Sequence, residues 1–328
     1  MASGQKTVKK LLQKDVSDSK TVNVRVSSDD CLGYVTGAEK LTINPATLTV
    51  KTEGAKRAYN GKPLTAEGTI TGFVNGETAK FTVTGSQTTV GQSKNTYNID
   101  WKAKDTTAKK GNYTISEDLG YLVVISKSIV PDDKNTPEEK KTGIKVTAPK
   151  DTTYSGNEQK REPVIEDTKT GKTLDKDDYS LSYSDDVTNA GTVTITVTGK
   201  GNYTGKFEVT YKINPRKVTL KSETASKPYD GTALTKPAVT VSGDGFVKGE
   251  VSDIKATGSV TTVSEGEVTN TITFTKEKNY KDGNYTIDKD EGKLSIRATT
   301  IDPGTDPEKP NPDYTGAKVN SPSDKVYD

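Results

Sequence analysis

The chain has no histidine and a single cysteine, Cys31. One cysteine cannot form an intramolecular disulfide or a thiolate metal cluster. Without histidine, the chain also lacks the commonest metal ligand and the commonest general base near neutral pH. Its carboxylates are scattered through turn-like sequence rather than paired. We therefore predict that the chain is not an enzyme and has no catalytic, cofactor-binding or metal-binding residues. Cys31 is interpreted as a chance surface or edge residue.

Long apolar runs are missing too. No window reaches the length of a membrane span, and no apolar signal core follows Met1. Val, Ile, Leu and Phe make up only about a fifth of the residues, a level typical of disordered chains. However, 47 basic and 45 acidic residues leave a net charge of +2, so self-repulsion does not favour an open chain. This balance predicts small domains with thin cores.

The residues that are abundant favour strands. There are 15 tyrosines and many threonines, and both types fit a pleated, half-buried surface. Alternation of apolar and polar residues predicts a strand over 192–198, with Val193, Ile195 and Val197 on one face. Further strands are predicted at 81–83, 122–125, 207–211, 239–241 and 271–274. The one candidate helix longer than two turns is Val8–Val16.

Internal repeats organise the chain. Gly-Asn-Tyr-Thr occurs at 111–114, 201–204 and 283–286, and Tyr-x-Gly precedes it at 59–61, 154–156 and 229–231, so that each pair brackets one repeat. Two kinds of repeat alternate, and equivalent positions such as Tyr59 and Tyr229 lie 170 residues apart. Residues 316–327 repeat the pattern of 143–154. The chain is therefore expected to be a piece of a longer array.

These matches predict the domain boundaries. Segments 129–141 and 301–313 are rich in Pro and charged residues and are predicted to be extended, semi-rigid linkers. No linker separates the repeats at Pro45 or Pro215, so a type-two repeat and the type-one repeat after it are expected to form a stiff pair. The predicted order is 1–45 (truncated C-terminal half of a type-two repeat), 46–126 (type one), 127–141 (linker), 142–215 (type two), 216–297 (type one), 298–313 (linker) and 314–328 (truncated start of a type-two repeat).

The two motifs are interpreted structurally. In Tyr-x-Gly, an aromatic anchor precedes a tight turn, because Asn-Gly and Asp-Gly accept positive φ. Gly-Asn-Tyr-Thr contains an N-glycosylation sequon at Asn112, Asn202 and Asn284. We favour a copied turn instead, with a left-handed Asn and an inward Tyr.

Other features admit a ligand as the alternative. Asp132-Asp133, Asp175–Asp178 and Asp185-Asp186 could bind calcium, but they lack the Gly and bidentate Glu of a full calcium loop, which favours solvated loop charge. Trp101, the only tryptophan, is interpreted as a core residue, with a sugar-stacking platform as the alternative. A Lys-to-Asn or Lys-to-Asp isopeptide bond is a further hypothesis. Basic residues form no stripe with interleaved aromatics, so nucleic-acid binding is not expected.

The repeats resemble a known family. Tyr154-Ser-Gly156, Asn189-Ala-Gly-Thr-Val193 and Gly199-Lys-Gly-Asn-Tyr-Thr-Gly205 are similar to short Ig-like repeats of large Gram-positive surface proteins. Lys227-Pro-Tyr-Asp-Gly-Thr232 and Gly283-Asn-Tyr-Thr-Ile287 resemble the MBG and YDG repeats of bacterial adhesins. The resemblance implies tandem small Ig-like β-sandwich modules in an elongated array, with β-grasp-like modules as the alternative. It also implies an extracellular location, at the cell surface or in the cell wall.

Three functions follow as hypotheses. The first is a non-catalytic spacer or stalk segment of a bacterial surface adhesin, monomeric and in contact with neighbouring repeats of the same chain. The second is direct adhesion to host glycans or matrix proteins, because exposed strand edges can add a partner's strand. The third is an accessory role beside a secreted polysaccharide-acting enzyme.

Overall fold

The computed structural model describes residues 14–27, 32–300 and 316. Within them, strands alternate with turns, and the helical segments are five 3-10 turns of three residues each. This confirms the predicted all-β fold class. Cys31, most of Val8–Val16 and residues 301–328 other than Gly316 lie outside the described residues. The end of that candidate helix, Val16, begins a 3-10 turn.

The chain forms two compact units. Of the described residues, the first unit comprises 14–27, 32–146, 165–180 and 197–207, and the second comprises 147–164, 181–196, 208–300 and 316. The type-two repeat, 142–215, thus contributes residues to both units, whereas each complete type-one repeat belongs to one.

The first described elements belong to the segment before Pro45. A 3-10 turn, η1 (Val16–Asp18), precedes strands β1 (Lys20–Ser27) and β2 (Tyr34–Leu41). The two strands pair antiparallel, with Lys20 opposite Leu41.

The first type-one repeat is built on two three-stranded sheets and a hairpin. The sheet orders are β5-β3-β9 and β4-β10-β7, and β6 pairs with β8. β3 runs parallel to β9, and β4 runs parallel to β10, because the intervening strands supply the long connection that parallel pairing requires. The elements are β3 (Ala46–Thr52), β4 (Ala55–Ala58), β5 (Gly68–Thr71), β6 (Lys80–Val83), β7 (Gly91–Lys94), β8 (Tyr97–Asp100), η2 (Lys110–Asn112), β9 (Tyr113–Leu119) and β10 (Tyr121–Ile125).

The type-two repeat contains the predicted alternating strand. Val193, Ile195 and Val197 are buried, and the threonines between them are partly exposed. The sheet orders are β12-β14-β15, β13-β19-β17-β16 and β11-β18. The elements are β11 (Lys127–Ser128), η3 (Glu138–Lys140), β12 (Ile144–Thr147), β13 (Thr152–Thr153), β14 (Val164–Asp167), β15 (Lys172–Thr173), β16 (Tyr179–Tyr183), β17 (Gly191–Gly199), β18 (Tyr203–Thr204) and β19 (Lys206–Asn214).

The start of the predicted 127–141 linker is part of this packing. β11 pairs parallel with β18, and the Ile129 N–H donates to the Thr204 carbonyl at 2.8 Å. Lys127 and Ile129 are buried. Ile129 is fully buried, and burying such a side chain contributes about 1.5–3 kcal/mol. Residues 127–129 therefore hold the type-two repeat in place rather than separating it from its neighbour.

The second type-one repeat follows the plan of the first. Its sheets are β23-β20-β28 and β21-β29-β26, with β20 parallel to β28 and β21 parallel to β29. All the strand segments predicted from the sequence lie in observed strands. For the segment 271–274, the strand begins at its second residue, Ile272. The elements are β20 (Arg216–Ser222), β21 (Ala225–Pro228), β22 (Leu234–Thr235), β23 (Val239–Gly243), β24 (Val251–Ala256), β25 (Ser259–Val260), η4 (Val263–Glu265), β26 (Val268–Thr269), β27 (Ile272–Lys276), η5 (Asp282–Asn284), β28 (Tyr285–Asp290) and β29 (Lys293–Arg297).

Both type-one repeats bury an asparagine that the sequence analysis missed. Asn95 and Asn270 are fully buried. The Asn270 Nδ2 donates to the carbonyls of Glu223 and Lys236 at 3.2 and 2.9 Å, and Asn95 makes the same kind of contact with the carbonyls of Glu53 and Ala66. These amides satisfy backbone groups that the strands leave unpaired inside the core.

Candidate interface between successive repeats

The asparagine of each Gly-Asn-Tyr-Thr motif contacts a loop of the repeat before it. Its Oδ1 accepts a hydrogen bond from a backbone N–H of that loop. The three pairs are Asn112 with Val16 at 3.0 Å, Asn202 with Val90 at 2.9 Å and Asn284 with Ala190 at 2.8 Å.

This contact explains the motif better than glycosylation does. Asn284 is 1% exposed, so its amide is not available to a glycan in the folded chain. The predicted left-handed asparagine is wrong, because Asn75 and Asp253 are the non-glycine residues with positive φ in the described part of the chain. The asparagine keeps ordinary geometry and is instead required as a hydrogen-bonding partner.

The tyrosine of the motif is buried, as predicted, and its hydroxyl donates to a carboxylate. The carboxylate comes from the same repeat in each case and fixes the orientation of the ring. The pairs are Tyr113 with Glu77 at 2.7 Å, Tyr203 with Asp167 at 3.0 Å and Tyr285 with Glu250 at 2.6 Å.

The Tyr-x-Gly turn has one geometry in all three copies. Gly61, Gly156 and Gly231 have φ of 75°, 80° and 78°, where a Cβ would be strained. The middle residue lacks positive φ, contrary to the Asn-Gly expectation; its side-chain oxygen instead accepts the N–H two positions on. These bonds measure 3.1 Å at Asn60, 3.4 Å at Ser155 and 2.9 Å at Asp230.

Two of these turns pack on the next repeat. The rings of Tyr59 and Tyr203 meet edge to face at 5.7 Å, and those of Tyr154 and Tyr285 meet edge to face at 5.8 Å. Edge-to-face pairs contribute about 0.5–1.5 kcal/mol beyond area burial. The motifs that bracket a repeat in sequence therefore meet between repeats in space: Tyr-x-Gly of one repeat contacts Gly-Asn-Tyr-Thr of the next. We call these contacts the first junction and the second junction.

The turn glycines are closely approached by the following repeat at both junctions. A Cβ at Gly61 would lie 3.2 Å from Thr170 Cγ2, and a Cβ at Gly156 would lie 2.9 Å from Val247 Cγ1. The glycine is thus needed both for its φ and for the approach of the following repeat.

The first junction lies in the first compact unit and contains a buried ion pair. Lys127 Nζ is 2.6 Å from Asp167 Oδ2, and both side chains are almost fully buried. Burial raises the pKa of Asp167, but the hydrogen bond and charge of Lys127 and the bond from Tyr203 outweigh it and hold the pKa below its ordinary value. Burial and the adjacent carboxylate together raise the pKa of Tyr203. Asp167 therefore stays ionised, with its charge balanced by Lys127.

The second junction lies in the second compact unit. In the place of Lys127, it has a second tyrosine hydroxyl beside the carboxyl group. Glu250 is buried and accepts one hydrogen bond from Tyr154 and one from Tyr285, each at 2.6 Å. Burial and the bond to Glu250 raise the pKa of Tyr154 to about 12 and also raise that of Tyr285. Arg216 completes the contact by donating to the Tyr154 carbonyl at 3.2 Å.

Residues of the acidic segments, for which calcium binding was the alternative interpretation, accept hydrogen bonds within the fold or pair with a lysine. Asp178 is buried and lies 2.5 Å from Lys172 Nζ, so the prediction of solvated loop charge is wrong for this residue. Asp132 accepts the N–H groups of Thr142 and Gly143, and Asp186 accepts those of Thr188 and Asn189. Among residues 14–27 and 32–300, no group of three or more Cys, Asp or Glu side chains is arranged to hold a metal ion.

Trp101 packs against the core cluster of Leu48, Ala108 and Tyr113, and its ring stacks on Tyr113 at 6.3 Å. Trp101 also lines an open groove of about 350 Å³. The groove wall includes Tyr97, Ile99 and Glu117. Trp101 thus takes the predicted core position while one side of it remains accessible.

The described part of the chain has no helix that is both long and apolar enough to cross a bilayer. In comparisons with known proteins, no family model and no curated protein matches the chain.

Proposed function

We propose that the chain is a non-catalytic spacer segment of a bacterial cell-surface protein, in which successive repeats are fastened by the Tyr-x-Gly junction. The observation that carries the proposal is that this junction occurs twice, with the same turn, the same edge-to-face tyrosine pair and a buried carboxylate beneath it.

The position of the compact units supports this role. Each junction falls inside one unit, and the division between the units passes through the type-two repeat instead. The residues of each junction therefore belong to one compact unit, although they come from two different repeats. A spacer benefits from this arrangement, because tension on the chain meets buried hydrogen bonds at the junction rather than a slack linker.

The chemistry of the junctions also suits a load-bearing role. Removing one partner of a buried ion pair, such as Lys127 with Asp167, costs about 3–5 kcal/mol, whereas an exposed ion pair contributes about 1 kcal/mol or less. The carboxyl acceptors of both junctions, Asp167 and Glu250, are buried. The extracellular location rests on the resemblance to Gram-positive surface repeats.

Single-molecule stretching of the complete chain tests the spacer proposal. Glu250→Gln retains size but weakens the acceptor for two phenols, so we expect a lower unfolding force for the second type-one repeat. Glu139→Gln, an exposed substitution in η3, is the matched control and should leave the force unchanged. Equal forces in both variants would contradict the proposal.

Direct adhesion is the second candidate, favoured by the groove at Trp101. A partly exposed tryptophan beside Tyr97 and Glu117 offers a stacking surface with a polar edge, which suits a sugar ring. Glycan and matrix-protein binding by the complete chain, compared with that of Trp101→Leu, tests this candidate. Saturable binding that Trp101→Leu abolishes would favour adhesion over the spacer. Uniform lack of binding would favour the spacer.

A further inference from the structure

The second type-one repeat carries a junction turn that no described residue covers. Tyr229 is 47% exposed, whereas Tyr154 is 3% exposed and Tyr59 is half-buried. A Cβ added at Gly231 would meet no atom within 4 Å, although Gly61 and Gly156 are each closely approached by the next repeat.

This turn is already in the conformation of the occupied ones. The N–H of Tyr229 donates to the Arg297 carbonyl at 3.0 Å, as that of Tyr59 donates to the Ile125 carbonyl at 2.9 Å. Asp230 accepts the Thr232 N–H in the same way as Asn60 accepts the Lys62 N–H. The exposure of Tyr229 is therefore not caused by a different fold of the turn.

A second element of the junction lies in the same repeat. η4 (Val263–Glu265) has the reciprocal capping arrangement of η1, with Thr262 and Glu265 in the roles of Asp15 and Asp18. In η1 the N–H of its first residue donates to Asn112 of the following repeat. The corresponding residue of η4 is Val263, which is 45% exposed.

We propose that Tyr229, Gly231 and Val263 form a docking surface for a further type-two repeat. The first type-one repeat places its equivalent turn against a type-two repeat, through Tyr203 and Thr170. The sequence after Arg297 has nearly the same spacing, one residue longer: Gly316 follows Leu294 by 22 residues, and Gly143 follows Leu122 by 21. Since 316–327 repeats the pattern of 143–154, the occupant is a repeat of this type rather than another protein.

The occupied surface would differ from the first junction in one respect. The position equivalent to Lys127 is Thr299, because Leu122 aligns with Leu294. A type-two repeat docked here would therefore need a donor other than lysine for its buried carboxylate. Two contacts are expected to be the same as in the other junctions. One is an edge-to-face tyrosine contact on Tyr229, and the other is a hydrogen bond from the Val263 N–H to the motif asparagine.

The test is an extended chain in which residues 1–315 are followed by a copy of residues 143–297 whose own counterpart of Tyr229 is replaced by phenylalanine, so that the labelled peptide comes from Tyr229 alone. Tyrosine-specific surface labelling is measured by mass spectrometry in the original and the extended chains. We expect labelling of Tyr229 to fall several-fold in the extended chain, toward the level of Tyr59. Tyr121, which is 48% exposed in the first type-one repeat, is the matched control and should label equally in both chains.

Unchanged labelling of Tyr229 would overturn the proposal, whether the added type-two repeat folds or remains unfolded beside this surface. A second variant, Tyr229→Ala, should lower the melting temperature of the extended chain but not that of the original one; equal shifts in both would also contradict the proposal. The inference rests on the proposed spacer function. Failure here leaves the two existing junctions intact, whereas saturable glycan binding would contradict the spacer without changing the labelling result.

Discussion

Lys127 and Asp167 form a buried ion pair, with 2.6 Å between Nζ and Oδ2, although they lie 40 residues apart in the chain. Lys127 follows the last strand of the first type-one repeat, and Asp167 ends β14 of the type-two repeat. The Tyr203 hydroxyl donates to the same carboxylate oxygen. Two neighbouring repeats thus share one neutralised charge.

Removing the lysine from this pair should destabilise the first compact unit. Lys127→Ala leaves Asp167 buried without its cation, and we expect a loss of about 3–5 kcal/mol in the free energy of unfolding. Lys141→Ala, which breaks an exposed pair with Glu138, should cost about 1 kcal/mol or less. Urea denaturation compares the two, and equal losses would contradict the structural role of the buried pair. Intact mass should equal that of the unmodified chain; loss of one water would instead indicate an isopeptide bond.

The same pair gives an acid-dependent stability. The pKa of Asp167 is lower in the folded chain than in the unfolded chain, where it is about 4. Its contribution is therefore present above about pH 4 and is lost as the pH falls through the lowered folded value. Lys127→Ala should flatten the acid limb of the stability profile relative to the parent chain. If stability falls with pH as steeply in the variant as in the parent chain, other carboxylates cause the acid sensitivity.

The second junction should respond to alkali instead. The pKa of Tyr154 is raised to about 12 in the folded chain, above the ordinary value of about 10. Its contribution to stability is thus complete below about pH 10 and is lost as the pH rises through about 12. Tyr154→Phe should lower stability at neutral pH and weaken this alkaline loss, as followed by circular dichroism against pH.

Tyr97→Phe is the matched control for this alkaline prediction. The pKa of Tyr97 is also raised to about 12, by burial and by its bond to Glu117, but this contact lies inside the first type-one repeat. Tyr97→Phe removes one phenol that has a raised pKa and leaves the residues of both junctions unchanged. If both variants changed the unfolding of the second type-one repeat alike, the assignment to Tyr154 would be wrong.

The buried asparagines should be essential to the type-one repeats. Asn270→Ala leaves the carbonyls of Glu223 and Lys236 without this donor inside the core. We expect a loss of about 2–4 kcal/mol, because each buried unsatisfied group costs about 1–3 kcal/mol. Asn98→Ala, at an exposed position, should change stability by about 0.5 kcal/mol or less. Thermal unfolding of the two variants decides, and a mild effect at Asn270 would mean that water replaces the amide.

The strands could be predicted from sequence because alternation acts locally: Val193, Ile195 and Val197 need only a period of two to identify their buried face. Burial of the motif tyrosines followed from interpreting the repeated motif as a turn with an inward tyrosine. The junctions could not be predicted, because Tyr154 and Glu250 are 96 residues apart and no local pattern relates them. The buried asparagines did leave a signal, since Asn-Thr recurs at 95–96 and 270–271 in equivalent repeats, but asparagine ordinarily indicates a turn.

Substitutions at Gly156 and Gly231 allow the backbone strain in the turn to be measured apart from the cost of packing. Gly156 and Gly231 have nearly equal φ, 80° and 78°, so alanine at either position incurs the same backbone strain, about 1–2 kcal/mol. Only Gly156 is covered, with Val247 Cγ1 2.9 Å from the added Cβ. Gly156→Ala should therefore destabilise the chain by about 1–3 kcal/mol more than Gly231→Ala does, since overpacking adds to strain. Calorimetry of both variants measures the difference directly. Equal losses of stability in the two variants would contradict this prediction, because they would mean that Val247 does not resist a methyl group added at Gly156.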